Sequence, residues 1–154
     1  VGNANTLDTL KKKHDILSRT LDEHVKKEET VKKGLKNSEE QYEKVGNKLA
    51  EYKSKLQQTK SALEELENSS ETTEEALQEQ RELVEGLEKI VSKGEETYRR
   101  AGNRVSDWKK QLNNAEAQTI RATKALNEND TYLKEAEKSW KGCAKSSSSF
   151  DAAK

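Results

Sequence analysis

The sequence predicts an all-α protein: a long extended helix forming a coiled coil, with a seam wide enough for three or more strands. The alternative is an antiparallel helical hairpin turning near residues 68–73. Three observations predict helix. First, apolar residues recur at alternating steps of four and three from Leu10 to Trp140 without a phase slip; 27 of the 38 positions visited are apolar in a chain that is only 30% apolar. A mean spacing of 3.5 residues is the period of helices that wind about a partner. Second, the chain has no proline, so no helix interior loses a backbone donor. Third, charged residues make up 38% and aromatics 5%, too little apolar material for a thick globular core but enough for one narrow stripe.

Taken in order, residues 1–9 contain Gly2, Asn3 and Asn5 and read as a lead-in, with Thr6 or Asp8 available as helix caps. Residues 10–141 read as the heptad rod. Its a row includes Leu21, Leu35, Tyr42, Leu49, Leu56, Leu63, Leu77, Val84, Val91, Tyr98, Val105, Leu112, Leu126 and Leu133; its d row includes Val45, Tyr52, Leu66, Leu87 and Trp108. These residues are the candidate oligomer seam. His14, His24, Glu28, Ser38, Thr59, Ser70, Thr73, Gln80, Gly94, Thr119 and Asn129 interrupt it, and polar seam residues trade stability for register. The weakest stretch is 67–75, where Thr72 and Glu75 have the spacing of a capping box. The heptad phase nevertheless carries from Leu66 to Leu77. A turn has no need to preserve phase, so the expectation is a continuous rod, about 200 Å from Leu10 to Trp140 at the helical rise. Residues 142–154, with Gly142 and four consecutive serines, read as a helix stop and flexible linker.

An internal repeat lies within the rod. EEQYEKVGNKLAEYKSKL (39–56) matches EETYRRAGNRVSDWKKQL (95–112) at an offset of 56 residues, or eight heptads. Tyr42 corresponds to Tyr98, Gly46 to Gly102, Tyr52 to Trp108 and Leu56 to Leu112. A duplication by whole heptads lengthens a helix without turning its seam away.

Formal charge is zero, but residues 1–60 carry net +4, residues 61–98 net −9 and residues 99–154 net +5. No block is basic enough for nucleic-acid binding by bulk field, and no run is long and apolar enough to span a membrane. The blocks read first as solvated helix faces; a lengthwise stagger of copies would bring opposite blocks together. His14 and His24 are ten residues apart, the wrong spacing for metal ligands on one helical face. Neither has a Ser or Cys partner evident for nucleophilic chemistry. Cys143 is alone and reads as a bystander thiol. No catalytic, cofactor or metal site is expected.

Flanking positions address the partner. In a parallel, in-register dimer, g residues face e residues five further on, which pairs Lys27 with Lys32, Lys48 with Lys53, Lys55 with Lys60 and Arg104 with Lys109. These like charges disfavour a two-stranded parallel dimer. Ala62, Ala76, Leu83, Ile90, Ala125 and Tyr132 are apolar at g and widen the stripe, so self-association in a parallel homo-oligomer of three or more copies is expected. An isolated helical bundle closing on itself is the plainer possibility.

The run LKKKHDILSRTLDEHVKKEETVKKGLKNSEEQYEKVGNKLAEYKSKLQQTKSALEELEN, the stretch VSDWKKQLNNAEAQTIRATKALNENDTYLKEAEKS and the ending SWKGCAKSSSSFDAAK together resemble the helical part of tail tape measure proteins of long-tailed bacteriophages. The resemblance covers nearly the whole chain and lies in texture and short phrases. It implies a structural rod occupying the tail tube lumen in several parallel copies and setting tail length during assembly. The implied partners are the tail tube protein and tail assembly chaperones, and the implied location is the virion tail, with the host cytoplasm during assembly. Membrane-active segments and a peptidoglycan hydrolase domain occur in that family and have no counterpart in this sequence. The competing expectations are a coiled-coil scaffold or stalk of a bacterial surface or structural protein, and a membrane-curving bundle. The acidic middle block argues against the last.

Overall fold

In the computed structural model, the backbone of residues 2–153 and the side chains of residues 6–142 are described. The chain is all-helical there, with α1 spanning Gly2–Asn68 and α2 spanning Glu74–Ala153. Residues 69–73 form a turn, so the continuous rod is corrected to two helices. The phase that runs from Leu66 to Leu77 does not forbid the break, and each arm keeps its own stripe on its inner face.

Local chemistry makes the turn. The Ser69 N–H donates to the Leu66 carbonyl at 3.3 Å, ending α1, and the Glu71 N–H donates to Ser69 Oγ at 3.4 Å. Thr73 then caps α2: its Oγ1 accepts from the Ala76 N–H at 3.2 Å, and its carbonyl accepts from the Leu77 N–H at 3.1 Å. The cap is Thr73 rather than Thr72, so the expected box with Glu75 is not formed. Adjacent threonines offer the same hydroxyl, and sequence spacing does not choose between them. Glu74 and Glu75 occupy the first turn of α2, where carboxylates favour the positive end of the helix dipole.

The outer ends differ from expectation as well. Helix α1 begins at Gly2, ahead of Thr6 and Asp8, and α2 passes through Gly142 to Ala153. A single glycine costs a helix only about 1 kcal/mol, and neither stretch contains proline. Asp8 pairs with Lys12 one turn on at 3.2 Å. The side chain of Cys143 lies outside the described residues.

The chain divides into two units, one formed by residues 1–32 with 111–154 and the other by residues 33–110. The second contains the turn. There α1 and α2 run antiparallel, which the ion pairs record directly: Lys53–Glu95 at 3.4 Å, Lys60–Glu88 at 3.6 Å and Glu67–Arg81 at 4.0 Å. Each step of seven up α1 is matched by a step of seven back along α2, and all six residues are e positions. The pairs are about half exposed, so each adds well under about 1 kcal/mol. Their contribution is to register. They also answer the like-charge problem, because Lys53 and Lys60, which would face lysines in a parallel dimer, here face glutamates.

The core of each unit is made of small and branched side chains. Val31, Ala115 and Ala122 are buried in the first unit; Leu49, Val84, Val91, Ala101 and Val105 are buried in the second. All eight fall on the a and d rows.

Candidate functional site

The largest concentration of specific packing is in the 33–110 unit, where the two copies of the internal repeat meet. Tyr42 and Tyr98 stack with ring centroids 4.4 Å apart and planes 9° from parallel. Each ring lies over the glycine of the other repeat. A Cβ on Gly46 would meet Tyr98 Cε2 at 2.9 Å, and one on Gly102 would meet Tyr42 Cε2 at 3.1 Å. The repeat therefore packs on its own duplicate in a two-fold manner, residue i on j and j on i, as in an isologous interface. Gly34 receives the six-membered ring of Trp108 (2.5 Å from an added Cβ to Cη2 and Cζ3), and Gly94 receives Leu49 Cδ1 at 3.1 Å. Large side chains on one helix thus sit opposite glycines on the other. Four of the six glycines whose surroundings are described serve this purpose; Gly86 and Gly142 have open space.

The predicted seam residues are all covered to some degree. In this unit Leu49, Val84, Val91 and Val105 are buried, and Leu35, Tyr42, Val45, Tyr52, Leu56, Leu63, Leu66, Leu77, Leu87, Tyr98 and Trp108 are half-buried. In the other unit Leu21, Leu112, Leu126 and Leu133 are half-buried. Their cover comes from the other helix of the same chain. The polar interruptions are matched too: Gln80 Nε2 donates to the Thr59 carbonyl at 3.1 Å. No buried side-chain nitrogen or oxygen among the described residues lacks a partner.

Packing the phenols together has an electrostatic consequence. The Tyr98 hydroxyl beside it, followed by desolvation, raises the Tyr42 phenol above its ordinary pKa of 10.0. Because the folded state holds this proton more tightly than the unfolded chain, stability is unaffected below about pH 10 and falls as pH rises past it. Tyr42→Phe is expected to flatten that alkaline limb; chemical denaturation of both proteins between pH 8 and pH 11 is the measurement.

The 1–32/111–154 unit holds a polar cluster that the sequence did not disclose. His14 Nδ1 donates to Asp130 Oδ1 at 2.6 Å, and Ser18 Oγ lies 3.5 Å from His14 Nε2. Ser18 is one turn along the same helix as His14, a neighbour that the i,i+4 spacing allows. Beside the cluster, Asn129 is 7% exposed and its Nδ2 donates to the Leu10 carbonyl at 3.0 Å.

The order Ser–His–Asp matches a proton-relay triad, but the chemistry stops short of one. Ser18 lies inside α1, where backbone N–H groups are spent on carbonyls four residues back, so no N–H pair is free to hold an oxyanion. The His14 side chain is 41% exposed, so water competes for it. What the geometry does supply is a latch: Asp130 and Asn129 on α2 each grip α1 through a directional bond. No group of three His, Cys, Asp or Glu among the described residues could hold a metal ion, and no helix of the described residues is long and apolar enough to cross a membrane.

Apolar residues also remain outside the pairing. Leu83 and Ile90 are 57% and 43% exposed; Ile16, Ile120 and Tyr132 are more than 60% exposed. Ile16 and Tyr132 line one open groove with Leu17 and Ala125. Leu83, Ile90 and Tyr132 are the g-row residues that widened the predicted stripe.

No family model, curated protein or solved structure matches this chain.

Proposed function

We propose that this chain is a structural helical segment of a phage tail tape measure protein, occupying the tail tube lumen and contributing to the length at which the tail stops growing. One observation carries the reading: the two copies of a repeat, eight heptads apart, use the same residues to pack in the same way. One copy lies on each arm, so repetition by whole heptads gives the two arms matching helix and keeps the seam. A segment selected for extent rather than chemistry should look like this.

Further support is chemical. Tyr42, Tyr98, Trp108 and the glycines they lie over, Gly102, Gly46 and Gly34, are invested in joining helix to helix. Each helix pair is read as a two-stranded antiparallel coiled coil, and no catalytic role is assigned to the His14 cluster. Copies lying side by side, three or more and parallel, would draw on Leu83, Ile90, Ile16, Ile120 and Tyr132. In this role the tail tube protein surrounds the segment in the virion, and tail assembly chaperones attend it in the host cytoplasm.

The test is genetic. Deleting residues 39–59 and 89–109, three facing heptads from each arm, from the parent phage gene is expected to shorten the tail by about 32 Å, at 1.5 Å per residue along the paired arms. Electron micrographs of tails measure it, and unchanged length removes the ruler role. The second reading is a coiled-coil scaffold or stalk of a bacterial surface or structural protein, which uses the same repeat and the same balanced charge. Neighbouring reading frames for tail tube proteins separate the two.

A further inference from the structure

We infer that the hairpin is one of two closures of the same seam, and that the partner which completes the other is a second copy of this chain, joined by exchange of arms about residues 69–73.

Two independent features point there. The first is the unbroken heptad phase from Leu66 to Leu77. A closed hairpin needs each arm to be in phase with itself; it does not need the arms to be in phase with each other. Phase across the turn matters only when the helix runs straight through. In that form Ser70 and Thr73 become seam positions of one continuous helix, and the apolar line of α1 continues into that of α2 on a single face.

The second feature is the two-fold packing of the repeat. Tyr42 sits over Gly102 while Tyr98 sits over Gly46, with the two rings stacked. The e-row ion pairs Lys53–Glu95 and Lys60–Glu88 hold the same antiparallel register. An antiparallel dimer of straightened chains reproduces every one of these contacts, each now formed between copies. Leu66 of one copy falls opposite Leu77 of the other. Exchange keeps these interhelix contacts and gives up only the hydrogen bonds of the turn, which makes it a low-cost route to a dimer.

The turn itself is held lightly. The Ser69 and Thr73 hydrogen bonds hold it, and the Ser69 side chain and the Thr73 cap are both exposed. No described residue adopts a positive φ, so nothing in the turn excludes an α-helical backbone. Ser69, Ser70, Glu71, Thr72 and Thr73 are all residues that a helix accepts. The inference concerns how this chain pairs, and it stands or falls independently of the tail reading.

The test uses the full chain under reducing conditions. Light and 15N-labelled protein are mixed 1:1, unfolded, and refolded at increasing concentration; monomer and dimer are separated by size exclusion with light scattering. Each fraction is treated with a carbodiimide, which joins touching amines and carboxylates, and the Lys53–Glu95 and Lys60–Glu88 linked peptides are weighed. The expected result is a dimer that grows with concentration, in which about half of the linked pairs join light to heavy chains, with none mixed in the monomer.

Two variants set the balance. Ser69→Ala, Ser70→Ala, Thr72→Ala and Thr73→Ala together remove the cap and favour helix, and should raise the dimer fraction at fixed concentration by at least about tenfold, the scale of lost caps in both chains. Glu74→Pro places proline at the first position of α2, where a hairpin accepts it and a continuous helix does not; it should suppress the dimer by at least about tenfold. A dimer in which linked pairs stay within one isotope would identify side-by-side closed hairpins and overturn the exchange. So would a four-alanine variant that remains monomeric at millimolar concentration, or a Glu74→Pro chain that dimerises as well as the original.

Discussion

Replacing Gly34 by valine is expected to destabilise the 33–110 unit by about 2–3 kcal/mol, although the same change at an open helix position would be close to neutral or helpful. The reason is the face of Trp108. A Cβ at Gly34 would lie 2.5 Å from Cη2 and Cζ3 and 2.8 Å from Cε3, well inside contact distance for three atoms of a rigid ring. A long flexible side chain could move its tip aside; an indole must be displaced as a plate. Against this, removing glycine from a helix interior gains up to about 1 kcal/mol, and valine returns part of that through its restricted rotamers. Overpacking therefore wins. Gly86, with open space where its Cβ would be, is the control: Gly86→Ala should stabilise by about 0.5–1 kcal/mol. The decisive measurement is a double-mutant cycle in urea. Trp108→Ala removes the obstruction, so Gly34→Val in that background should cost much less than in the original chain. Equal costs in both backgrounds would mean that the ring does not press on Gly34.

Much of this fold was legible from periodicity, and the reasons are local. Every buried apolar residue lies on a row laid out by steps of four and three, because a helix that pairs along one line must put its apolar groups there. What periodicity could not decide was where the pairing partner came from. The phase across 67–75 favoured a straight rod. Against it stood five consecutive cap-type and acidic residues, whose competing hydrogen bonds with the backbone end helices. A signal that does decide was present in the e row and was not read. In antiparallel register Lys53, Lys60 and Glu67 face Glu95, Glu88 and Arg81, and stepping on by sevens sets Glu39 against Lys109. Opposite charges recur at each charged step, whereas the parallel alignment gave lysine against lysine.

The glycines were legible only as scattered helix defects. Their purpose lies in what faces them from the other helix, which needs the register to be known first. With the register in hand, the repeat explains itself, since a Tyr four residues before a Gly on antiparallel copies must place each ring on the opposite glycine. The His14–Asp130 contact joins residues 116 apart in sequence and has no local signature of any kind.

Leu49→Ala is expected to cost about 2–4 kcal/mol, the largest loss from truncating any of the buried aliphatic residues. Leu49 is 7% exposed and is the largest of the eight buried core residues, the others being valines and alanines. In a core one side chain thick, no second layer can collapse into the space it leaves. Its Cδ1 points at Gly94, and that glycine supplies a sharper test than the magnitude alone. In the original chain a Cβ on Gly94 would meet Cδ1 at 3.1 Å, tight enough that the helix-propensity gain of Gly94→Ala is partly cancelled by the contact. Once Leu49 is truncated the obstruction is gone and the new methyl enters the vacated volume. Gly94→Ala should then return about 1 kcal/mol and add packing besides, so the two substitutions together should cost less than the sum of their separate effects. Urea titrations followed by circular dichroism at 222 nm give all four stabilities. If the double variant is merely additive, Leu49 and Gly94 do not share a site, and the antiparallel register that places them together is wrong.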